Sequence, residues 1–334
     1  MTNSEQREGV TLTNLDQPLF DGAEANKRDL VDYLDAMSDR IIPVLRQRPL
    51  SVVRVRPGQP PFMQKNVPKY TPNFVKTIDI WSYSSHRNVS YALCDDRPTL
   101  LWFANQRAVE YHPTLVTAAG WAASAADSGP DGDSGPRGDS GPEQTHLVID
   151  LDPPEGADFA KVVAVAQLVR QALDDCGLHG AVKTSGSKGV HIFVPVSGVT
   201  LEDGAGVTRA LAERSAKLDP SIATTEFIRA ERGDRVFVDS TRAGGATVAA
   251  AYSPRIRAGA TVSFPVSWDA LAEIHPRDFT IKTVPDLLGA TDPWADTMPE
   301  TQVISSELVA EGHTIPIARV AAMHEGKRRK RGMS

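Results

Sequence analysis

The 334 residues carry 36 lysines and arginines against 42 aspartates and glutamates, a formal net charge of −6, with 41% hydrophobic residues and two cysteines. That length and apolar share suit a folded chain of more than one module, and two cysteines without ligand spacing, Cys94 and Cys176, exclude a disulfide scaffold or a zinc module. No apolar run approaches membrane-spanning length and residues 1–9 lack the apolar centre of a signal peptide, so a cytoplasmic enzyme with no membrane partner is expected.

In chain order, Leu30, Tyr33, Leu34, Met37 and Ile41 share one stripe between Asn26 and Leu45 and predict an amphipathic helix. Apolar runs at Leu50–Val55, Val89–Leu93 and Thr99–Ala104 read as strands. Between them Lys65, Lys69 and Lys76 interleave with Tyr70 and Phe74, either a DNA-facing strip or a solvated loop. Asp-Ser-Gly-Pro then recurs at Asp127, Asp133 and Asp139. Such residues bury too little apolar surface to offset their ordering entropy, so a mobile insert is expected over 121–145.

The next segment, His146-Leu-Val-Ile-Asp150-Leu-Asp152-Pro153, predicts a strand ending in two carboxylates. Side chains alternate along a strand, so Asp150 and Asp152 share a face roughly 7 Å apart, within reach of hard cations held as a pair. Alone, this pattern is as readily a solvated strand end. A helix follows from Asp158 to Cys176, closed by Gly177. Then Lys183-Thr-Ser185-Gly-Ser-Lys188-Gly-Val-His191 makes a Gly/Ser turn around a lysine, suited to an anion, opening an apolar strand to Pro195. The order is not that of a P-loop. A third helix is expected from about Ala205 to Lys217. Arg235–Asp239 is another short strand that offers a third carboxylate, and Arg255 and Arg257 follow at a spacing suited to polyphosphate. The βαββ order predicts an α+β fold with helices backing an antiparallel sheet.

The order D-x-D, K-T-S-G-x-K-G-x-H, R-V-F-x-D, Y-S-x-R resembles the polymerase domain of bacterial DNA ligase D, within the archaeo-eukaryotic primase superfamily, from about Leu12 to about Ala295. The resemblance implies an RNA-recognition-motif-like catalytic core with an N-terminal α/β module. The corresponding divisions are 1–120 for that module, 121–145 for the insert, 146–300 for the core and 301–334 for a C-terminal segment with a basic tail. It implies that Asp150, Asp152 and Asp239 hold two Mn²⁺ or Mg²⁺ ions. Ser185, Lys188, His191 and Arg255 would hold the phosphates of a nucleoside triphosphate, with His112 and Arg232 nearby. Phe62 and Lys65 would meet template DNA, and Asn14 and Lys27 a 5′-phosphate across a gap.

Four positions depart from the family pattern. Gln17 stands where lysine is usual, which removes a charge from the 5′-phosphate pocket. Met63 stands where a second phenylalanine is frequent, and Arg242-Ala243 follows Asp239 where Gln-Asn is usual. The net charge runs against the basic footprint of a nucleic-acid binder. Its basic residues are clustered, however, and the tail Lys327–Arg331 reads either as a flexible arm that raises non-specific DNA affinity or as solubilising disorder.

The function implied is nucleotidyl transfer, mainly of ribonucleotides, to a primer 3′-hydroxyl at gapped or broken DNA bearing a 5′-phosphate. Excision repair and end joining are the expected settings, with the enzyme acting as a nucleoid-associated monomer. No K-x-D-G lysine is present, so a separate ATP-dependent DNA ligase is the expected partner. A metal-dependent nuclease or phosphoesterase, using the same carboxylates on water, and a non-catalytic DNA-end adaptor are the alternatives.

Overall fold

The computed structural model describes residues 4–82, 86–127, 141–243 and 245–317. Most of the repeat (128–140) and the whole basic tail lie outside the described residues. The chain begins with a two-stranded ribbon, β1 (Glu5–Arg7) and β2 (Val10–Leu12), followed by helices α1 (Lys27–Ala36) and α2 (Ser38–Leu45). The single helix expected over 26–45 is thus two, with Met37 leaving helical geometry at their junction. Asn26 and Asp29 cap α1 reciprocally, which satisfies two orphan N–H groups.

A five-stranded sheet comes next. It comprises β3 (Pro49–Arg56), β4 (Gln59–Gln64), β5 (Lys76–Ser82), β6 (Arg87–Leu93) and β7 (Ala108–Pro113). All pairings are antiparallel; β3 takes β4 and β6 on one edge path and β7 besides.

The expected strand at Thr99–Ala104 is instead helix α3 (Arg97–Asn105). A continuous apolar run does not distinguish a buried strand from a buried helix, and here the local cap decides. Asp96 accepts the Thr99 amide and Pro98 sits in the first turn, so Leu100 through Ala104 are buried as a helix.

Helix α4 (Ala118–Asp127) and strand β8 (Glu143–Asp152) narrow the expected 121–145 insert from both ends. The second sheet has the order β11 (Ala223–Thr224), β12 (Val236–Asp239), β8, β10 (Val190–Thr200), β9 (Ala181–Thr184) and β13 (Pro265–Val266). Only β11–β12 is parallel. Helices α5 (Phe159–Asp174) and α6 (Leu201–Leu218) back it.

Alternation explains the packing. Leu147, Ile149 and Leu151 of β8, with Val190, Ile192 and Val194 of β10, are fully buried in the same core as Val162, Val165, Ala166, Val169 and Leu173 of α5. Each valine, leucine or isoleucine among them stabilises the fold by about 1.5–3 kcal/mol through burial. The opposite face carries the polar side chains at one end, while Val148 and Phe193 on it pack with Leu115 and Val248 in a second, small cluster. Short helices α7 (Arg229–Arg232), α8 (Val284–Leu288) and α9 (Pro293–Thr297) decorate the core. Helix α10 (Ser306–Thr314) lies on α6 through glycine: a Cβ added at Gly312 would stand 2.2 Å from the Gly206 carbonyl carbon.

Candidate active site

Strand register lays four polar side chains in one row across the second sheet. Lys183 on β9 is opposite His191 on β10, His191 is opposite Asp150 on β8, and Asp150 is opposite Asp239 on β12. Asp152, two residues beyond Asp150, shares that face and lies opposite Phe237. Gly189 permits the approach, because a Cβ there would sit 2.1 Å from the Leu151 carbonyl oxygen.

Burial pushes the Asp150 carboxyl up to about 6; Arg242 opposes the rise, while Asp239 and Asp152 add to it. Arg242 Nε is 3.4 Å from Asp150 Oδ2 and 3.6 Å from Asp239 Oδ2. The other Asp239 oxygen accepts the Thr241 amide at 2.8 Å. Asp152 pairs with Arg232 at 3.5 Å, and that guanidinium also lies over the Phe237 ring at 3.7 Å. Among the described residues, no group of three or more His, Cys, Asp or Glu side chains is arranged so that it could hold a metal ion. The donor set nevertheless fits hard divalent cations, since it consists of carboxylate oxygens and a positive group already stands between two of them.

On the other side of Asp150, His191 Nε2 is 3.5 Å from Oδ1. His191 Nδ1 is 2.7 Å from Lys183 Nζ, which donates to Ser263 Oγ at 2.5 Å. Burial, then Arg255, push Lys183 well below the ordinary lysine range, with Asp150 opposing. Burial, then Lys183 and Arg255, lower His191 in the same way. Neutral His191 thus accepts at Nδ1 and carries its proton on Nε2, facing Asp150.

A second set joins the two halves of the molecule. Glu110 and His112 alternate on β7, and His112 Nε2 donates to Glu110 at 2.9 Å. The Ile256 amide donates to the other Glu110 oxygen at 2.9 Å, and Arg255 Nε stands 3.2 Å from it, in ion-pair range but not aligned as a hydrogen bond. Burial alone would raise Glu110; the His112 hydrogen bond, the Arg255 charge and the Ile256 amide overcome it and hold the carboxyl at about 2. Burial lowers His112, with Glu110 opposing. Arg255 also donates to the Ser185 carbonyl, and Gly186 (φ +68°) lies against its stem.

These groups meet at a cavity of about 480 Å³ lined by Lys65, His112, Asp150, His191, Arg242 and Arg255, with Met63 and Trp81 at its N-terminal wall. Other expected site residues go elsewhere. Ser185 is buried and its hydroxyl accepts the Ser187 and Gly189 amides, so it builds the turn. Lys188 pairs with Glu155 at 3.2 Å outside the cavity lining. Phe62 lies beneath Arg56 and Arg54, with ring distances of 4.7 and 5.6 Å, while its neighbour Met63 takes the cavity side.

Asn14 is exposed and left-handed (φ 53°), whereas Lys27 is buried and donates to Thr13 O at 2.5 Å and Asn105 Oδ1 at 2.7 Å. Burial, then Arg107, lower Lys27 to about 8. Arg107 itself reaches Gln17 at 3.5 Å and the Pro18 and Leu19 carbonyls. The charge missing at Gln17 is therefore accompanied by a guanidinium from another element.

Sequence reasoning assigned no role to Lys183, Glu110, Ser263 or Arg242. Period-two alternation carried a signal for one of these, since Glu110 shares a face with His112. No local signal existed for Ser263, which joins only through tertiary packing.

The chain matches the family described as LigD, primase-polymerase domain, over residues 26–294. It is 31% identical over 283 residues to the bifunctional non-homologous end joining protein LigD of Bacillus subtilis, covering 83% of this chain and 42% of that protein. It is 33% identical over 275 residues to the multifunctional non-homologous end joining DNA repair protein LigD of Mycobacterium tuberculosis, covering 80% and 34%. The chain thus spans well under half the length of these curated relatives. Among solved structures, the polymerase domain from Mycobacterium tuberculosis ligase D in complex with DNA superposes with a TM-score of 0.73 at 28% identity, covering 88% of this chain and all of the other.

Proposed function

The chain belongs to the LigD primase-polymerase domain family and has its archaeo-eukaryotic primase-like fold, and from that premise we propose that it adds nucleotides, mainly ribonucleotides, to a primer 3′-hydroxyl at gaps or breaks in DNA. The observation that carries this reading is that Asp150, His191 and Arg255 line one cavity, with Asp239 the cross-strand partner of Asp150 just behind its wall.

Asp150, Asp152 and Asp239 would hold Mg²⁺ or Mn²⁺, which when bound lowers the pKa of a hydroxyl and offsets charge on departing pyrophosphate. The protein's own groups supply position and electrostatics. Glu110 holds Arg255 from behind, so the guanidinium reaches the cavity as a fixed fork for phosphate oxygens. Lys183 occupies His191 Nδ1, which commits Nε2–H to the cavity side. Among the described residues Lys188 is held only by an exposed glutamate, a pairing worth little, and it can turn to meet an anion at the Ser185–Gly189 turn.

The substrate reading extends to gapped or broken DNA with a 5′-phosphate, met by Lys27, Asn14 and Arg107, in excision repair or end joining. A separate ATP-dependent ligase as the sealing partner and a nucleoid-associated, monomeric role complete the proposal. A labelled primer on a 5′-phosphorylated gap, incubated with Mn²⁺ and ribo- or deoxyribonucleotides, tests this. Extension that favours ribonucleotides and is lost in Asp150→Ala/Asp152→Ala supports it. Primer shortening would turn the reading to a nuclease, and binding without turnover to an adaptor.

A further inference from the structure

Arg242 is positioned to act as a counter-ion for two carboxylates. Asp150 and Asp239 are direct cross-strand partners, and like charges so placed destabilise a sheet pair. Both are largely buried, so water offers little relief. Arg242 lies three residues beyond Asp239, and its Nε is 3.4 Å from one Oδ2 and 3.6 Å from the other. Its side chain is 42% exposed and lines the cavity, so it sits at the mouth rather than locked in the core. Among the described residues, the neighbouring carboxylates have cations of their own: Asp152 is paired with Arg232 and Glu110 with Arg255.

We propose that Arg242 is a resident cation that occupies the place between Asp150 and Asp239 and must leave before a divalent ion can bind there. This rests on the metal-dependent reading above. A guanidinium and a divalent cation cannot share the same two inward oxygens, because they repel each other and compete for the same lone pairs. The long stem and partial exposure of Arg242 give it a route out, into a cavity whose expected occupant is polyphosphate. Metal loading and Arg242 departure are therefore coupled: the carboxylates stay neutralised when metal is scarce, at the expense of metal affinity. Arg242 thus sets the metal concentration at which the enzyme becomes competent.

The test is Mn²⁺ binding without nucleotide, read from the free-ion signal by electron paramagnetic resonance, on the whole chain. Arg242→Gln is expected to bind Mn²⁺ about 3- to 10-fold more tightly than wild type, the scale of one solvent-reachable ion pair. Arg242→Lys, which keeps the charge, should stay within about twofold of wild type. In chelator, Arg242→Gln should melt below wild type, and Mn²⁺ should raise its melting temperature more. Equal or weaker Mn²⁺ binding by Arg242→Gln, with Asp150→Asn abolishing binding, would overturn the role of Arg242 alone. No Mn²⁺ binding by wild type or Arg242→Gln would overturn it together with the metal-dependent reading. Should Arg242→Gln fold poorly, Arg242→Ala provides the same comparison.

Discussion

Replacing Glu110 by glutamine removes one charge while keeping the shape, and the effect can be worked from its neighbours. Glu110 ionises at about 2 although it is buried, because His112, Arg255 and the Ile256 amide all favour the carboxylate. Against an ordinary value of 4.5, that difference corresponds to about 3 kcal/mol of native-state stability at neutral pH. The sign follows from the depressed value: the contribution is complete above pH 4.5 and is lost as pH falls through 2. Glutamine has one acceptor oxygen and can keep only one of the Ile256 and His112 hydrogen bonds, which Glu110 takes on separate oxygens, and Arg255 is left without its anion. Urea denaturation of wild type and Glu110→Gln at pH 7, 5 and 3 should show a gap of about 2–3 kcal/mol that holds to pH 5 and shrinks by pH 3. Extension activity should fall with it, because Arg255 loses its backing. A gap below about 0.5 kcal/mol at pH 7, or one that persists unchanged at pH 3, would refute the argument.

Gly189→Ala places a Cβ against the Leu151 carbonyl and should destabilise by about 1–3 kcal/mol, prising β8 from β10 between the two aspartates; a wild-type melting curve would contradict this. Gly312→Ala should loosen α10 from α6 by a similar amount while leaving primer extension nearly intact, read by denaturation and activity side by side. His146 is held at about 3 by burial and then Arg48, so the unfolded chain takes a proton that the folded one refuses. Stability should therefore fall as pH drops from 6.5 toward 3, by at most about 1.4 kcal/mol per unit and less where the cavity admits solvent; His146→Gln should flatten that slope. Arg107→Ala should erase about 10- to 100-fold of any preference for gaps with a 5′-phosphate over a 5′-hydroxyl, measured by fluorescence anisotropy, and an unchanged preference would remove Arg107 from that role.

What was legible in the sequence was what depends on local pattern. Alternation places Asp150 and Asp152 on one face, the helix expected from Asp158 to Cys176 is present as Phe159–Asp174 with Asp158 as its cap, and the strand that follows the Gly/Ser turn pairs with β9 as a hairpin. The segment 99–104 was misread because its apolar run lacks a period, and the deciding signal was a single cap at Asp96. Partner choice was not legible. Lys188 looks like the phosphate lysine of its turn yet pairs with Glu155, while Lys183, five residues earlier, is the one that register sets against His191. Whether Phe62 or Met63 meets the cavity depended on which face of β4 turned inward, a question for β3 and its arginines rather than for the segment itself. Gln17 marked a lost charge, but only folding brought Arg107 alongside it.

The row from Lys183 through His191 and Asp150 to Asp239 draws its members from four strands, and of its neighbours only β9 and β10 are consecutive in the chain. Its integrity is thus a matter of counting residues. Inserting or deleting one residue inside β8, β10 or β12 would turn its polar member to the helix-backed side and an aliphatic one outward. The same change between α5 and β9, or ahead of β8, leaves the count untouched. Lineages carrying this site are therefore free to lengthen and shorten their connections, while drift within the strands is confined to substitution.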